Sequence, residues 1–111
     1  HLRIGYFGAS TGAAAALVAA AERPRKVGAI VSRGGRPDLA GAVLVRVDAP
    51  TLLIVGGNDL QVIELNRAAL VQLRCERQLV IVPGATHLFE EPGALDEVAR
   101  LAREWFQRHL I

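Results

Sequence analysis

Cysteine is almost absent from this chain: Cys75 is the only one among 111 residues. A single cysteine cannot form an internal disulfide, so the fold has to be held together by its apolar core. A lone thiol fits a reducing compartment, and we expect a cytoplasmic protein. Hydrophobic residues make up 51% of the chain, which suits one compact domain of this length.

Long apolar runs and clusters of one charge are also missing. The alanine-rich stretch 13–21 is too short to span a bilayer, and Glu22 and Arg23 follow it directly. The start of the chain has no pattern of a secretory signal peptide. The formal net charge is only +2, and no lysine or arginine run alternates with aromatic residues. We therefore expect neither a membrane nor a nucleic acid as partner.

What the sequence does contain is an alternation of strand-like and helix-like segments separated by turn residues. The apolar segment Leu2 to Phe7 predicts a strand, and the segment from Thr11 predicts a helix that ends near Arg23, because Pro24 cannot continue it. Three later strands are predicted within "KVGAIVSRGG", "APTLLIVGGND" and "QLVIVPGATH". Helical segments are predicted in "PDLAGAVL" (a short helix or turn), "VIELNRAALVQLR" and "ALDEVARLAREWFQRHL".

The predicted strands are continuous runs of valine, isoleucine and leucine rather than alternating ones. Such runs are typical of strands buried on both faces, so the fold class is predicted to be α/β: a three-layer sandwich with a mainly parallel, four-stranded sheet. In sheets of this kind, binding and catalytic residues lie in the loops that follow the carboxyl ends of the strands. Those loops are therefore where functional residues are expected.

The stretch "GYFGASTGAAAAL" follows the first predicted strand and has two interpretations. Gly8-Ala9-Ser10-Thr11-Gly12 matches the pattern G-x-S-x-G of a nucleophile elbow between a strand and a helix. In that interpretation small residues two positions before and two after the serine let strand and helix pass closely. The serine hydroxyl is then pushed out above the sheet, and the N–H of Thr11 points at a developing oxyanion.

The second interpretation is a glycine loop that binds a dinucleotide. Gly8-x-x-x-Gly12 also resembles the glycine pattern of short-chain dehydrogenases, and Arg33 after the next strand would then face a 2′-phosphate. Those enzymes need a catalytic tyrosine and lysine further along the chain. The only tyrosine here is Tyr6, inside the first predicted strand, and the only lysine is Lys26. This interpretation therefore stays open for binding but not for catalysis.

A serine nucleophile needs a histidine base and a carboxylate to hold that histidine. In this architecture the order along the chain is Ser, then Asp or Glu, then His. Of the three histidines, only His87 follows a predicted strand; His1 is the first residue, and His109 is predicted to be solvated near the end of the last helix. Asp59 follows the third strand. Ser10, Asp59 and His87 thus occur in the required order, each in a loop at the same sheet edge.

Each of these residues also has a simpler explanation. Ser10 could be a turn residue, Asp59 the N-cap of the following helix, and His87 a loop histidine bonded to backbone. Asp38 is predicted to be an N-cap, and it is also a substitute for the acid because some relatives of this architecture carry the acid after the preceding strand. Glu90 and Glu91 are predicted to be charged residues at the start of the last helix. Only the joint occurrence of serine, acid and histidine favours catalysis.

Three stretches, "GYFGASTGAAAAL", "APTLLIVGGND" and "VPGATHLFEEPGALDEV…WF", resemble the elbow, acid strand and histidine loop of the dienelactone-hydrolase-like group of α/β-hydrolases. The chain is also similar to hydrolase domains fused to phosphoribosyltransferases. The resemblance implies Ser10 as nucleophile, His87 as base and then acid, Asp59 as the orienting acid and Thr11 as an oxyanion N–H donor. It implies hydrolysis of a small-molecule ester through an acyl-enzyme, with no metal and no organic cofactor.

The chain departs from that family in length. It begins at His1 rather than methionine, and the family's strands before the elbow have no counterpart here. We therefore expect residues 1–111 to be a single domain that forms the C-terminal half of an α/β-hydrolase domain. The loop that donates the second oxyanion N–H is missing as well. The isolated chain is accordingly expected to be weak or inactive.

Two further expectations follow from the resemblance. The family's best-known members use a cysteine nucleophile, so the serine at position 10 favours general esterase chemistry. The missing strands would leave the edge of Leu2 to Phe7 unpaired, which predicts a homodimer through that edge or through the adjoining helix faces. The alternative of another class is a non-catalytic module that serves the assembly or regulation of an attached phosphoribosyltransferase-type enzyme.

Overall fold

The computed structural model describes residues 2–111, and His1 lies outside them. The predicted alternation of strands and helices is confirmed, and it places four parallel strands in one sheet. No helix within the described part of the chain has the length and apolar character needed to cross a membrane. The elements in chain order are β1 (Ile4–Ala9), α1 (Thr11–Glu22), β2 (Val27–Arg33), a 3₁₀ segment (Pro37–Arg46), β3 (Thr51–Gly56), α2 (Leu60–Gln72), β4 (Arg77–Val82) and α3 (Ala94–Leu110).

The strands lie side by side in the order in which they occur in the chain, β1-β2-β3-β4. Arg33 at the end of β2 pairs with Ala9 of β1 on one side and with Ile54 of β3 on the other. Gly56 at the end of β3 pairs with Val82, the last residue of β4. All four carboxyl ends therefore meet at one edge of the sheet, and the loops that follow them are neighbours.

The first strand begins and ends later than predicted. It covers Ile4–Ala9 rather than Leu2 to Phe7, because Ile4 is the first residue with a partner on β2, namely Val27. At its other end β2 continues to Arg33, which lets Ala9 stay in the ladder. Backbone pairing with a neighbour, which the apolar pattern does not encode, sets the true bounds.

Helices cover both faces of the sheet, so the predicted three-layer arrangement is confirmed. Neighbouring residues Ile30 and Val31 of β2 point to opposite faces, and both are fully buried. Ile30 packs in one core with α1, the 3₁₀ segment and α2, while Val31 packs in the other core with α3. Besides Ile30, the largest buried members of the first core are Leu17, Leu44, Leu53 and Leu73, and those of the second are Leu52, Ile54, Phe89 and Trp105.

The connection between β2 and β3 is irregular. It forms a 3₁₀ segment that is broken at Gly41, where φ is +57°. The expectation that Asp38 caps this segment is wrong: Arg36 holds the N-cap position, and its guanidinium donates to the two Asp38 oxygens at 3.0 and 2.9 Å. The same hydrogen bonds hold the pKa of Asp38 below its usual value. Asp38 is thereby engaged with its neighbour two residues away.

Candidate active site

Ser10 is the single residue between β1 and α1, and its backbone is strained. Its φ is +51° and its ψ is −126°, a conformation that residues with a side chain rarely adopt. The Ser10 carbonyl oxygen accepts from the N–H groups of Ala13 at 3.2 Å and Arg36 at 3.0 Å, and its own N–H donates to the Arg33 carbonyl at 3.4 Å. These bonds to three neighbouring segments hold the sharp turn.

The strand and the helix approach each other most closely at Gly8. A Cβ at this position would lie 2.6 Å from the Gly12 carbonyl oxygen and 2.7 Å from the Ala13 Cα, so no side chain fits. A Cβ at Gly12 would meet no atom within 4 Å among the residues that the structure describes. The close approach of strand and helix therefore requires a glycine at position 8. No contact among the described residues requires one at position 12.

The Ser10 hydroxyl lies against the imidazole of His87. The distance between Ser10 Oγ and His87 Nε2 is 3.0 Å, across 77 residues of chain. Ser10 occupies the N-cap position of α1, yet within residues 2–111 its side chain makes no capping hydrogen bond. The strained turn thus presents the hydroxyl to the histidine instead of to the helix.

The other ring nitrogen of His87 lies against Asp59. His87 Nδ1 and Asp59 Oδ2 are 2.8 Å apart, with 16% of the Asp59 side chain and 41% of the His87 side chain exposed. Because an ionised carboxylate only accepts, Nδ1 is assigned the proton of the neutral ring, and Nε2 then accepts from the Ser10 hydroxyl. Asp59 also stands at an N-cap position, that of α2, without a side-chain capping bond in the described chain.

The structure thus brings Ser10, His87 and Asp59 into one continuous hydrogen-bonded row. The substitute acid, Asp38, does not take part in it, since its carboxylate is bound by Arg36. Chemically, such a row can draw the proton from a serine hydroxyl to the imidazole, while the carboxylate stabilises the imidazolium that forms.

Thr11 is the first residue of α1. The first N–H groups of a helix have no acceptor within the helix, and its positive end favours negative charge. The first turn of α1 carries no acidic side chain that would compete for this charge. The position next to Ser10 is therefore one where a backbone N–H can bind an oxyanion.

The loop that carries His87 is anchored on the β3 side by residues that the sequence analysis did not single out. The Asn58 N–H donates to the Ala85 carbonyl at 3.0 Å, and the Asn58 side chain donates to the Gly84 carbonyl at 3.2 Å. A Cβ at Gly56 would lie 2.3 Å from the Ala85 oxygen, so this loop passes directly over the end of β3. The repeated small residues of "VGGND" are the only sequence signal of that approach.

On its other side the same loop is anchored by Phe89. This residue has a left-handed φ of +55°, and its ring is buried in the core beneath α3. The Arg33 guanidinium stacks over that ring at 5.8 Å, and its buried Nε has no hydrogen-bond partner in the part of the chain described here. Arg33 therefore packs against the histidine loop. Nothing in the sequence indicated a positive φ at a phenylalanine.

His109 is not solvated, so that prediction is wrong. Its side chain is only 10% exposed, and its ring lies 4.3 Å from the Trp105 ring, while Nε2 is 3.5 Å from a Glu76 carboxylate oxygen. The amphipathic stripe of α3 continues to the end of the helix, and this explains the burial. His109 lies in that stripe, apart from the row formed by Ser10, His87 and Asp59.

No protein-family model matches the chain. Curated proteins from two strains of Mycobacterium tuberculosis, both named phosphoribosyl transferases, are 64% identical to it over 109 residues. The match covers 98% of this chain and 25% of those proteins. The chain thus spans about a quarter of the length of the curated relatives it matches.

Among solved structures, a dienelactone hydrolase from Anabaena variabilis has 67% sequence identity and a TM-score of 0.98, covering 100% of this chain and 51% of its own. A CIB-like hydrolase from Thermoplasma acidophilum is 21% identical, with a TM-score of 0.79 over 96% of this chain and 52% of its own. A monoacylglycerol lipase from Paleococcus ferrophilus is 20% identical, with a TM-score of 0.77 over 94% and 68%. The last two support the fold alone.

Proposed function

We propose that this chain, which is similar in sequence and fold to a dienelactone-hydrolase-like α/β-hydrolase, carries the catalytic residues of a serine hydrolase acting on ester bonds in small molecules. The observation that supports this most directly is the 3.0 Å contact between Ser10 Oγ and His87 Nε2. A serine nucleophile requires a base within that reach. The name of the Anabaena relative, a dienelactone hydrolase, supports a substrate among esters and lactones.

In the proposed acylation step, Ser10 Oγ attacks the carbonyl carbon of the ester while its proton passes to His87 Nε2. Asp59 holds the Nδ1 proton and stabilises the imidazolium through the 2.8 Å bond. The carbonyl oxygen becomes an oxyanion, which the Thr11 N–H binds. The tetrahedral intermediate then expels the alcohol, which takes the proton from Nε2, and leaves the acyl group on Ser10.

Deacylation repeats these steps with water. His87 Nε2 takes a proton from the water as the oxygen attacks the acyl carbon, and a second oxyanion forms at the same place. Collapse of this intermediate breaks the bond to Ser10 Oγ, which recovers its proton from Nε2. The acid product leaves, and the row of hydrogen bonds is restored.

A second candidate function follows from the names of the curated relatives. Both are called phosphoribosyl transferases, and this chain matches only 25% of their length. In this alternative the domain is a non-catalytic module attached to a phosphoribosyltransferase-type enzyme in the cytoplasm. The elbow would then serve packing, and a reactive Ser10 would not be needed.

Reactivity of Ser10 toward a fluorophosphonate probe separates the two candidates. Labelling is read by intact and peptide mass spectrometry, on this chain and on a longer form that includes the upstream strands expected from the resemblance. The chain has two serines, so Ser10→Ala is the test variant and Ser32→Ala the matched control. We expect labelling that Ser10→Ala abolishes and Ser32→Ala retains. Absence of label in both forms, each shown to be folded, would overturn the serine-hydrolase proposal.

A further inference from the structure

The loop 86–91 is closed on itself around His87 by one carboxylate. The backbone N–H of Thr86 donates to Glu91 Oε1 at 3.0 Å, and the Thr86 hydroxyl donates to Glu91 Oε2 at 2.7 Å. These two bonds lower the pKa of Glu91, so the carboxylate is ionised at neutral pH. The sequence predicted Glu91 to be a charged residue at the start of α3. In the structure, both of its carboxylate oxygens accept hydrogen bonds from Thr86, the residue that precedes His87.

This closure lies between two other anchors of the loop. Residues before His87 are held by Asn58, through its bonds to the carbonyls of Gly84 and Ala85. Residues after it are held by the buried ring of Phe89, whose N–H donates to the Thr86 carbonyl at 3.1 Å. Thr86 is thus the junction between the two anchors.

The left-handed backbone of Phe89 makes this junction important. A positive φ at a phenylalanine is strained and persists only where surrounding contacts impose it. The Glu91 carboxylate pulls the two ends of the turn together across Phe89, which opposes relaxation of that strain. On the inner side, Gly34 leaves just enough room, because a Cβ there would lie 3.1 Å from the His87 carbonyl oxygen.

We propose that Glu91 is a positioning residue for His87: by binding Thr86 through both oxygens, it fixes the backbone that aims the imidazole at Ser10 and Asp59. This inference rests on the proposed function, since positioning matters for catalysis only if His87 acts as the base. Glu91 itself touches neither Ser10 nor Asp59 by any hydrogen bond within residues 2–111. Its effect passes through the loop.

The test compares Glu91→Ala and Glu91→Gln with the matched control Glu90→Ala. Glu90 is the residue next to Glu91, and it is exposed. The first readout is the rate at which Ser10 reacts with the fluorophosphonate probe. Since misplacement of a catalytic group by about 1 Å costs on the order of 100-fold in rate, Glu91→Ala is expected to slow labelling by about 10- to 100-fold. Glu91→Gln keeps an oxygen for the Thr86 N–H and should recover most of the rate, and Glu90→Ala should match the unaltered chain.

The second readout does not depend on reactivity. In protein labelled with ¹⁵N-histidine, the Nδ1 proton of His87 bonded to Asp59 is observed by NMR as a slowly exchanging imidazole resonance. We expect Glu91→Ala to broaden or remove this resonance, and Glu91→Gln to restore it. A merely stabilising role for Glu91 would lower the melting temperature and leave this resonance unchanged.

The outcomes separate the two proposals. A Glu91→Ala variant that is folded, labels at the unaltered rate and keeps the resonance overturns the positioning role. If neither the unaltered chain nor the longer form labels, the serine-hydrolase proposal fails, and the resonance alone decides whether Glu91 positions His87. Should Glu91→Ala fail to fold, Thr86→Val removes the hydroxyl bond only, with Thr86→Ser as its conservative partner, and the same two readouts apply.

Discussion

At the scale of single residues, two positions show how a helix start can be put to another use. Ser10 and Asp59 both precede a helix at its N-cap position, where their side chains ordinarily bind the free N–H groups. Here the side chains instead lie against the two ring nitrogens of His87. The type and order of these residues could be predicted from the sequence, because each follows a strand. The choice of Asp59 over the substitute acid Asp38 depends on two contacts that the sequence does not show, between Asp59 and His87 and between Arg36 and Asp38.

Exchange of the acid gives the first prediction. Asp59→Asn keeps the size of the side chain but replaces one oxygen by an amide, which favours the wrong tautomer of His87. In a comparable protease site this exchange lowers turnover by about 10⁴-fold, so a loss of Ser10 labelling on the order of 10³- to 10⁴-fold is expected here. Asp38→Asn is the matched control and should leave the labelling rate unchanged. A larger loss for Asp38→Asn would show that the acid has been assigned to the wrong residue.

The two glycines of the elbow give the second prediction. At Gly8 an added Cβ would press on backbone atoms at 2.6 and 2.7 Å. Overpacking of this kind costs about 1–3 kcal/mol, so Gly8→Ala should lower the free energy of unfolding by that amount. Gly12→Ala adds the same methyl group inside α1 where no atom lies within 4 Å in the described chain. It should raise the free energy of unfolding by up to about 1 kcal/mol. Urea denaturation measures both, and equal effects would contradict this account.

At the scale of elements, the loops after the strands differ in how much the sequence reveals. The strands, α1 and α3 could be predicted because apolar runs and amphipathic spacing reflect burial directly. The histidine loop could not, because its shape depends on contacts between distant segments: Asn58 with Gly84 and Ala85, and Gly34 with His87. Likewise, the 3₁₀ segment Pro37–Arg46 is interrupted by the non-helical backbone of Gly41, and the spacing of apolar residues does not predict this interruption.

The docking of α3 gives the third prediction. Trp105 is buried beneath the sheet, and its indole N–H donates to the Pro50 carbonyl at 3.1 Å. Trp105→Ala should lower the free energy of unfolding by about 3–5 kcal/mol, the usual cost of removing a buried tryptophan. Leu95 lies on the same helix with 51% of its surface exposed, so Leu95→Ala should change the stability by less than about 0.5 kcal/mol. Thermal and urea unfolding followed by circular dichroism would measure both, and similar losses would show that α3 is not held by its buried stripe.

At the scale of the whole molecule, the sheet has one edge with an apolar character. Among the strands of residues 2–111, β1 pairs with β2 alone, and Ile4 and Phe7 are each about half exposed, at 49% and 50%. An apolar strand with unpaired N–H and C=O groups is prone to pair with another chain. Burial of the exposed side chains of β1 therefore requires another strand beside this edge.

Self-association gives the fourth prediction. We propose that the 111-residue chain forms a homodimer through β1, and light scattering at tens of micromolar should report twice the monomer mass. Replacing Phe7 by lysine places a charge on this edge and should give a monomer. Val71→Lys, on α2, where the side chain is 80% exposed, is the control and should leave the dimer intact. A monomeric unaltered chain would contradict the proposal.

The order of the strands in the sheet, identical to their order in the chain, has a consequence for synthesis. Each strand after β1 finds its preceding sheet neighbour already synthesised, since domains assemble from the amino terminus during translation. Ser10 emerges first, Asp59 about midway and His87 only after β4. Under the proposed function, the nascent polypeptide would contain the nucleophile Ser10 but lack the base His87 during most of the synthesis of this chain. Esterase activity would then require synthesis to continue past β4, and a product terminated before His87 would not hydrolyse esters by this mechanism.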